Sequence, residues 1–203
     1  MQSIYFVDSN FTYESSKKSI LSIRYATDGF SFCVHDETGK LVVFVHEPYA
    51  ADSREAAVAR LKNYVVNDAI LNLRFKKVYI MPCFKEKLLV PGAFFDKANI
   101  TTLYTVNQEV SPDDTILYHH IEGIEAYLVE TVISSFHDFV REHFPVFQIV
   151  NGAYPFILGA MGKALRDTEQ IFLDIQDNYF DLLFIRDSGI QLFNTFSYKA
   201  TTD

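Results

Sequence analysis

The side chains that could do chemistry are few, and most are spaced wrongly for it. His119 and His120 are neighbours in a strand-like run, so their rings point to opposite faces and cannot share a metal. His137 and His143 lie six apart, which misses the i, i+4 spacing of a helical zinc pair. The run Gly159-Ala160-Met161-Gly162-Lys163 hints at a phosphate loop, but two residues separate its glycines where a P-loop needs four. Ala164 stands where the Mg²⁺-binding hydroxyl would be, so these small residues read as a close-packing helix surface. Cys33 sits in an apolar strand pattern without a spaced His and acid, and no G-x-S-x-G occurs, so nucleophilic catalysis has no support. Asp52, Asp113 and Asp114 read as cap and turn residues.

Composition narrows the classes. The chain has 203 residues, 49% of them apolar, with 19 Phe and 12 Tyr, which excludes disorder and provides a real core. Its formal charge of −8, with only the short basic pairs Lys17-Lys18 and Lys76-Lys77, argues against nucleic acid as a partner. Two cysteines without metal spacing, no leader-like N-terminus and no apolar run of membrane-spanning length predict a cytoplasmic protein without direct membrane insertion. The sequons at Asn10 and Asn99 are read as chance matches.

Periodicity supplies the elements. Residues 1–18 are expected to form an N-terminal arm. Leu21, Ile23 and Tyr25, then Phe30, Phe32 and Val34, then Leu41–Val45 alternate around turns at 27–29 and 36–40, a three-stranded meander. Ser53 caps a helix whose apolar positions are Ala57, Leu61, Tyr64 and Val65. Strands are predicted at 78–81, 87–90, 116–121 and 126–129, the last two joined at Glu122-Gly123. A helix is expected over 132–143, ended by Pro145, then a strand over 146–150 and a helix over 153–165.

The last thirty residues repeat the opening. LSIRYATDGFSFCVHDETGKLVVF lies over LDIQDNYFDLLFIRDSGIQLFNTF, with Leu21 on Leu173, Ile23 on Ile175 and, after a turn one residue shorter, Val34 on Ile185. Phe94, Phe95, Phe144, Phe147, Tyr154, Phe156 and Phe193 exceed what one small core absorbs. They imply two sub-cores or an apolar patch for a protein or peptide partner or for a second copy of the chain.

Two such meanders resemble the actin-like ATPases. The order of elements between them is similar to the cytoplasmic actin-like component of type IV pilus assembly, on YIMPCFKEKLLVPGAFF and TILYHHIEGIEAYLV. The segments LSIRYATDGFSFCVHD and FNTFSY resemble a bacterial domain-of-unknown-function family, DUF3822-like. The resemblance implies an α/β fold with mixed sheets: an actin-like, ribonuclease H-like duplicated β-meander with an inserted αβ subdomain and an incomplete second half. The expected divisions are a first domain (19–76 with 145–169), an inserted subdomain (77–144) and the start of a second domain (170–203).

The resemblance also implies where ATP would bind, at the turn after the first strand of each meander. Here those turns depart from the pattern. Arg24 takes the first Mg²⁺-organising Asp position, followed by Ala26, Thr27, Asp28 and a displaced Gly29. In the second turn Asp174 matches, but Gln176 stands for the glycine, where its Cβ is expected to strain a positive-φ turn, and Asp177 follows. The chain stops at Asp203, ahead of the expected adenosine glycine pair, and reads as a piece of a longer protein or one that lost that part. No cofactor is therefore expected, and the protein is read as a non-catalytic interaction scaffold. The alternative is an ATP/Mg-binding regulatory protein or kinase-like enzyme with divergent loops. By the same resemblance Tyr79, Phe84 and Phe147 would lie near a partner groove.

Overall fold

The computed structural model describes residues 2–199. Met1 and residues 200–203, the ends of the expected arm and of the expected second domain, lie outside the described residues. The chain forms two compact units, residues 1–84 with 132–150 and residues 85–131 with 151–203. These divisions fall elsewhere than the boundaries drawn from sequence at 76/77, 144/145 and 169/170.

The first unit is built on one six-stranded sheet. Its strands are β1 (Ile4–Val7), β2 (Ile20–Ala26), β3 (Gly29–His35), β4 (Leu41–Pro48), β5 (Lys77–Pro82) and a later strand, Phe147–Ile149. The expected arm contains β1, which pairs antiparallel with β4 from Ile4–His46 to Val7–Val43. It also contains a single helical turn, α1 (Tyr13–Ser16), capped by Thr12. The order across the sheet is β1-β4-β3-β2-β5 and then the late strand, antiparallel through the meander and parallel beyond β2. So β5, placed by sequence in the inserted subdomain, belongs to this sheet.

Alternation decides which face is core. Leu21, Ile23, Tyr25, Phe30, Phe32, Val34, Val43 and Val45 are all 3% exposed or less and point to one side. Helix α2 (Arg54–Asn67), with Ser53 Oγ accepting the Ala56 N–H at 3.2 Å, roofs that side. Its Ala57, Val58, Leu61 and Val65 are buried, and the Tyr64 ring stands 4.5 Å from Phe30. A second helix, Ser134–His143, adds Phe136, whose ring lies 5.0 Å from Tyr25.

The second unit holds β6 (Lys87–Pro91), α3 (Ile100–Thr105), β7 (Asp114–His120), β8 (Ala126–Ile133), whose last two residues fall in the first unit, α5 (Ala153–Lys163), β10 (Glu169–Ile175), β11 (Tyr179–Arg186) and β12 (Gly189–Ser197). The helix Ser134–His143 is α4 and the strand Phe147–Ile149 is β9. Two three-stranded sheets result, β6-β8-β7 and β10-β11-β12. Thr131, Val132 and Ile133 are β-branched and keep β8 extended, so α4 starts two residues later than its periodicity predicts. Leu128, Ile157, Leu183 and Ile185, each at most 1% exposed, join β8, α5 and β11 in one core. A smaller core gathers Val90, Tyr104 and Val129, and the Phe95 ring stacks on Tyr127 at 3.7 Å. Phe94 is 72% exposed. No helix among the described residues is long and apolar enough to cross a membrane.

Candidate functional site

The first hairpin closes on the pair Ala26–Gly29, leaving Thr27 and Asp28 as a two-residue turn. Gly29 has φ +148°, and a Cβ there would stand 2.7 Å from the Glu47 carbonyl oxygen. Glycine is thus demanded by the approach of β4, whatever the turn binds. The carbonyls of Thr27 and Asp28 accept the N–H groups of Ala51 (2.8 Å) and Tyr49 (3.1 Å), which lash the turn to the loop ahead of α2. Arg24 leaves the sheet on the face opposite Tyr25, and its Nη1 lies 3.5 Å from Asp28 Oδ1, both side chains about a quarter exposed. Arg24, Ala26, Thr27, Asp28 and Gly29 therefore form one local constellation.

The second hairpin has the same design. The Gln176 N–H donates to the Tyr179 carbonyl at 2.9 Å, so Asp177 and Asn178 form another two-residue turn. Matching the closing pairs puts Gln176 on Ala26, Tyr179 on Gly29 and Asp174 on Arg24. The equivalence read from sequence is corrected: Ile23, not Leu21, matches Leu173, and Val34 matches Phe184, because neither turn is shorter than the other. The strain expected at Gln176 is corrected too. Among the described non-glycine residues only Asp167, Asp187 and Ser188 have positive φ. Gln176 instead donates Nε2–H to Asp174 Oδ1 at 3.0 Å.

From this hairpin a polar row crosses the sheet. The register aligns Asp174 with Asp181 and Asp181 with Thr195 on one face. The Thr195 hydroxyl lies 2.6 Å and Lys87 Nζ 2.9 Å from Asp181 Oδ1. Lys87 Nζ also stands 4.8 Å from the centre of the Tyr179 ring. Lys87 is 5% exposed, Asp181 2% and Glu130 1%. Glu130 faces Lys87 directly across β6 and β8. Its Oε2 accepts Asn151 Nδ2–H at 2.7 Å, while Asn151 Oδ1 takes the Ala153 N–H at 2.8 Å and so helps start α5. Two buried atoms stay without hydrogen-bond partners, Glu130 Oε1 and His119 Nε2, 3.9 Å apart.

The ionisation of this cluster follows from its dryness. Burial pushes the Glu130 carboxyl up to about 8, against the pull of Asn151 and Lys87. Burial also raises Asp181, with Lys87 and Thr195 opposing it, and lowers His119. At neutral pH Glu130 is thus held protonated beside the 2.9 Å contact of Lys87 with Asp181. An open cavity of about 400 Å³ adjoins it, lined in part by Lys85, Lys87, Asn107, Gln108, Phe193 and Thr195. Among the described residues no three His, Cys, Asp or Glu side chains are grouped to hold a metal. Sequence reading singled out Asp174 and Gln176 but passed over Lys87, Glu130, Asp181, Asn151 and Thr195. The available signal was a lone charge in an apolar strand, as in AYLVETVI and YFDLLFI.

The three groove aromatics do not line one surface. Val78 pairs with Phe147 and Tyr79 with Gln148, so Tyr79 and Phe147 stand on opposite faces of the first sheet. Phe84 packs edge-on against Tyr25 at 5.4 Å. Lys77 Nζ covers the Tyr79 ring at 4.4 Å, and Phe147 meets His137 at 5.9 Å.

Comparison with known proteins agrees with this architecture. The family model described as "Protein of unknown function (DUF3822)" matches residues 8–203. A comparison with curated proteins finds no match. Among solved structures, a protein with actin-like ATPase fold and unknown function from Bacteroides thetaiotaomicron superposes with a TM-score of 0.86 at 22% identity, over 95% of this chain and 75% of that one. The chain therefore has the actin-like ATPase fold. The PilM–PilN type IV pilus biogenesis complex gives a TM-score of 0.50 at 12% identity, over 88% of this chain and 61% of that one. The cytoplasmic domain of EpsL, an inner membrane component of the type II secretion system of Vibrio cholerae, gives 0.43 at 10% identity, over 88% and 70%.

Proposed function

The chain belongs to the DUF3822 family of proteins of unknown function, and from that premise we propose that it is a cytoplasmic, non-catalytic scaffold that keeps the actin-like ATPase fold but works by binding protein. One observation carries the reading: a basic side chain beside each hairpin is engaged by a carboxylate of the chain itself. Arg24 is drawn to Asp28 at 3.5 Å, and Lys87 is buried against Asp181 at 2.9 Å. A triphosphate needs such cations turned toward it, and here Asp174, Asp177 and Asp181 would oppose it. The PilM–PilN neighbour is described as a complex of two proteins, which is in keeping with a protein partner.

A thermal melt with saturating Mg-ATP tests the reading. A nucleotide at about 100 times its dissociation constant adds roughly 2.7 kcal/mol and moves the midpoint of a chain this long by about 5–10 °C. The expected result is a shift below about 1 °C on the same scale, with no phosphate released above the blank. A shift of the larger size, or turnover, overturns the proposal in favour of an ATP-binding regulatory or kinase-like protein.

A further inference from the structure

The six-stranded sheet ends on one side at β1, and that edge is unguarded. Ile4-Tyr5-Phe6-Val7 is apolar throughout, with exposures of 50%, 66%, 45% and 36%. Edge strands are ordinarily protected by charge, proline or a bulge. Elsewhere in the chain β10 carries Glu169 and Asp174, and β6 ends in Pro91. β1 has none of these devices, and its register with β4 runs without a shift from Ile4 to Val7.

The backbone shows what the edge offers. The Asp8 N–H donates to the Val42 carbonyl at 2.8 Å, so alternation turns the N–H and C=O of Phe6 toward β4 as well. Tyr5 and Val7 therefore aim theirs outward, two donors and two acceptors along the free side of the strand.

We propose that this edge pairs with the same edge of a second copy, antiparallel about a two-fold axis at Phe6. The strand is its own complement there. Facing residues of an antiparallel pair share one face of the sheet, so a two-fold axis can fall on a single residue. An axis at Phe6 sets Tyr5 opposite Val7 of the copy and Val7 opposite its Tyr5. The outward groups of the two strands then close four hydrogen bonds with none left over. Phe6 meets Phe6 and Tyr5 meets Val7, the aromatic and β-branched pairs that suit cross-strand contact. Asp8, which falls opposite Ile4 of the copy, is already held by Lys40 at 2.7 Å, so no bare charge enters the seam. The match needs no residue from outside this strand, which is what selects a second copy over an unrelated segment. The contact covers roughly 300–400 Å² per copy, short of the ~800 Å² of a standard stable interface. The dimer is accordingly weak, with a dissociation constant of about 10–100 µM. This inference goes beyond the protein-binding reading above and does not depend on it.

Sedimentation velocity of the purified chain from about 5 to 500 µM should show monomer passing to dimer. Val7→Pro removes an outward N–H and no β1–β4 hydrogen bond. It should weaken dimerisation at least tenfold while melting within about 2 °C of the parent. Tyr5→Lys, at 66% exposure, should do the same by placing a charge on the edge. Under mild oxidation Phe6→Cys should crosslink two copies, because non-hydrogen-bonded pairs hold their Cα atoms about 4.5 Å apart. Ile4→Cys, about 13 Å from its counterpart, should not. Nor should the parent, whose Cys33 and Cys83 lie off this strand. A chain that stays monomeric through this range overturns the proposal. So does a dimer indifferent to both Val7→Pro and Tyr5→Lys, or crosslinking through Ile4→Cys in preference to Phe6→Cys. None of these results alters the Mg-ATP melt, so the two readings fail separately.

Discussion

Glu130→Gln is the most informative single change in the buried cluster. In the folded chain the Glu130 carboxyl titrates at about 8, whereas its ordinary value is 4.5. The folded state therefore holds a proton that the unfolded state has lost, and stability falls as pH rises from 4.5 to 8. At about 1.36 kcal/mol per pH unit, a window of roughly 3.5 units costs about 4–5 kcal/mol by pH 8. Glutamine keeps the shape and can still accept from Asn151, but it never ionises. The stability of the variant relative to the parent should therefore climb across this window by a few kcal/mol, flatten above pH 8, and be flat below pH 4.5. Taking the difference cancels the groups remote from Glu130, whereas His119 and Lys87, which touch it, add a smaller coupled part. Urea denaturation at half-unit steps from pH 4 to 9 measures it. A difference constant to within about 0.5 kcal/mol, the ordinary scatter of neutral substitutions, would refute the reasoning. It would mean that Lys87, facing Glu130 across the strands, keeps it ionised throughout.

Lys87→Met should cost about 3–5 kcal/mol in urea denaturation, because it strands Asp181 at 2% exposure beside Asp174. Adding Asp181→Leu should recover part of that loss, and a double variant that is simply additive would deny the coupling. Gly29→Ala should lower stability by about 2 kcal/mol or more, since its Cβ meets the Glu47 carbonyl oxygen at 2.7 Å and its φ is +148°. Gly123→Ala, at φ +83° with open space around it, should cost only about 1 kcal/mol, and equal melting losses would show that β4 is free to yield.

Much of the fold is legible in the chain because local alternation and turns carry it. Leu21-Ser22-Ile23-Arg24-Tyr25 announces a strand with one buried face, and Ser53 announces α2. The strand Ile4–Val7 is not legible: Ile-Tyr-Phe-Val has no alternation, and its place depends on β4 more than thirty residues away. The placement of β5 in the first sheet is hidden for the same reason, since a parallel neighbour leaves no local turn to read. At the candidate site, the spacing of residues 24–29 and 174–177 exposes the two hairpins. The cluster of Lys87, Glu130 and Asp181 is not legible as a cluster, because three separate strands bring it together and the lone charge in each apolar run is its one local trace. Tyr79 and Phe147 fail as a groove on one-residue parity, which register alone decides.

The interleaving of the two units bears on how the polypeptide is made. Neither body is encoded in one stretch: the first needs residues 132–150 to finish, and the second resumes only at 151. On the ribosome, strands β2–β5 must wait for β9 while residues 85–149 are synthesised, several seconds at about 5–20 residues per second. During that delay the parallel flank of β5 is an open edge, exposed to chaperones and to neighbouring nascent chains. Splitting the gene after Phe84 should accordingly give two insoluble halves, and slowing translation within 85–131 should lengthen the vulnerable interval.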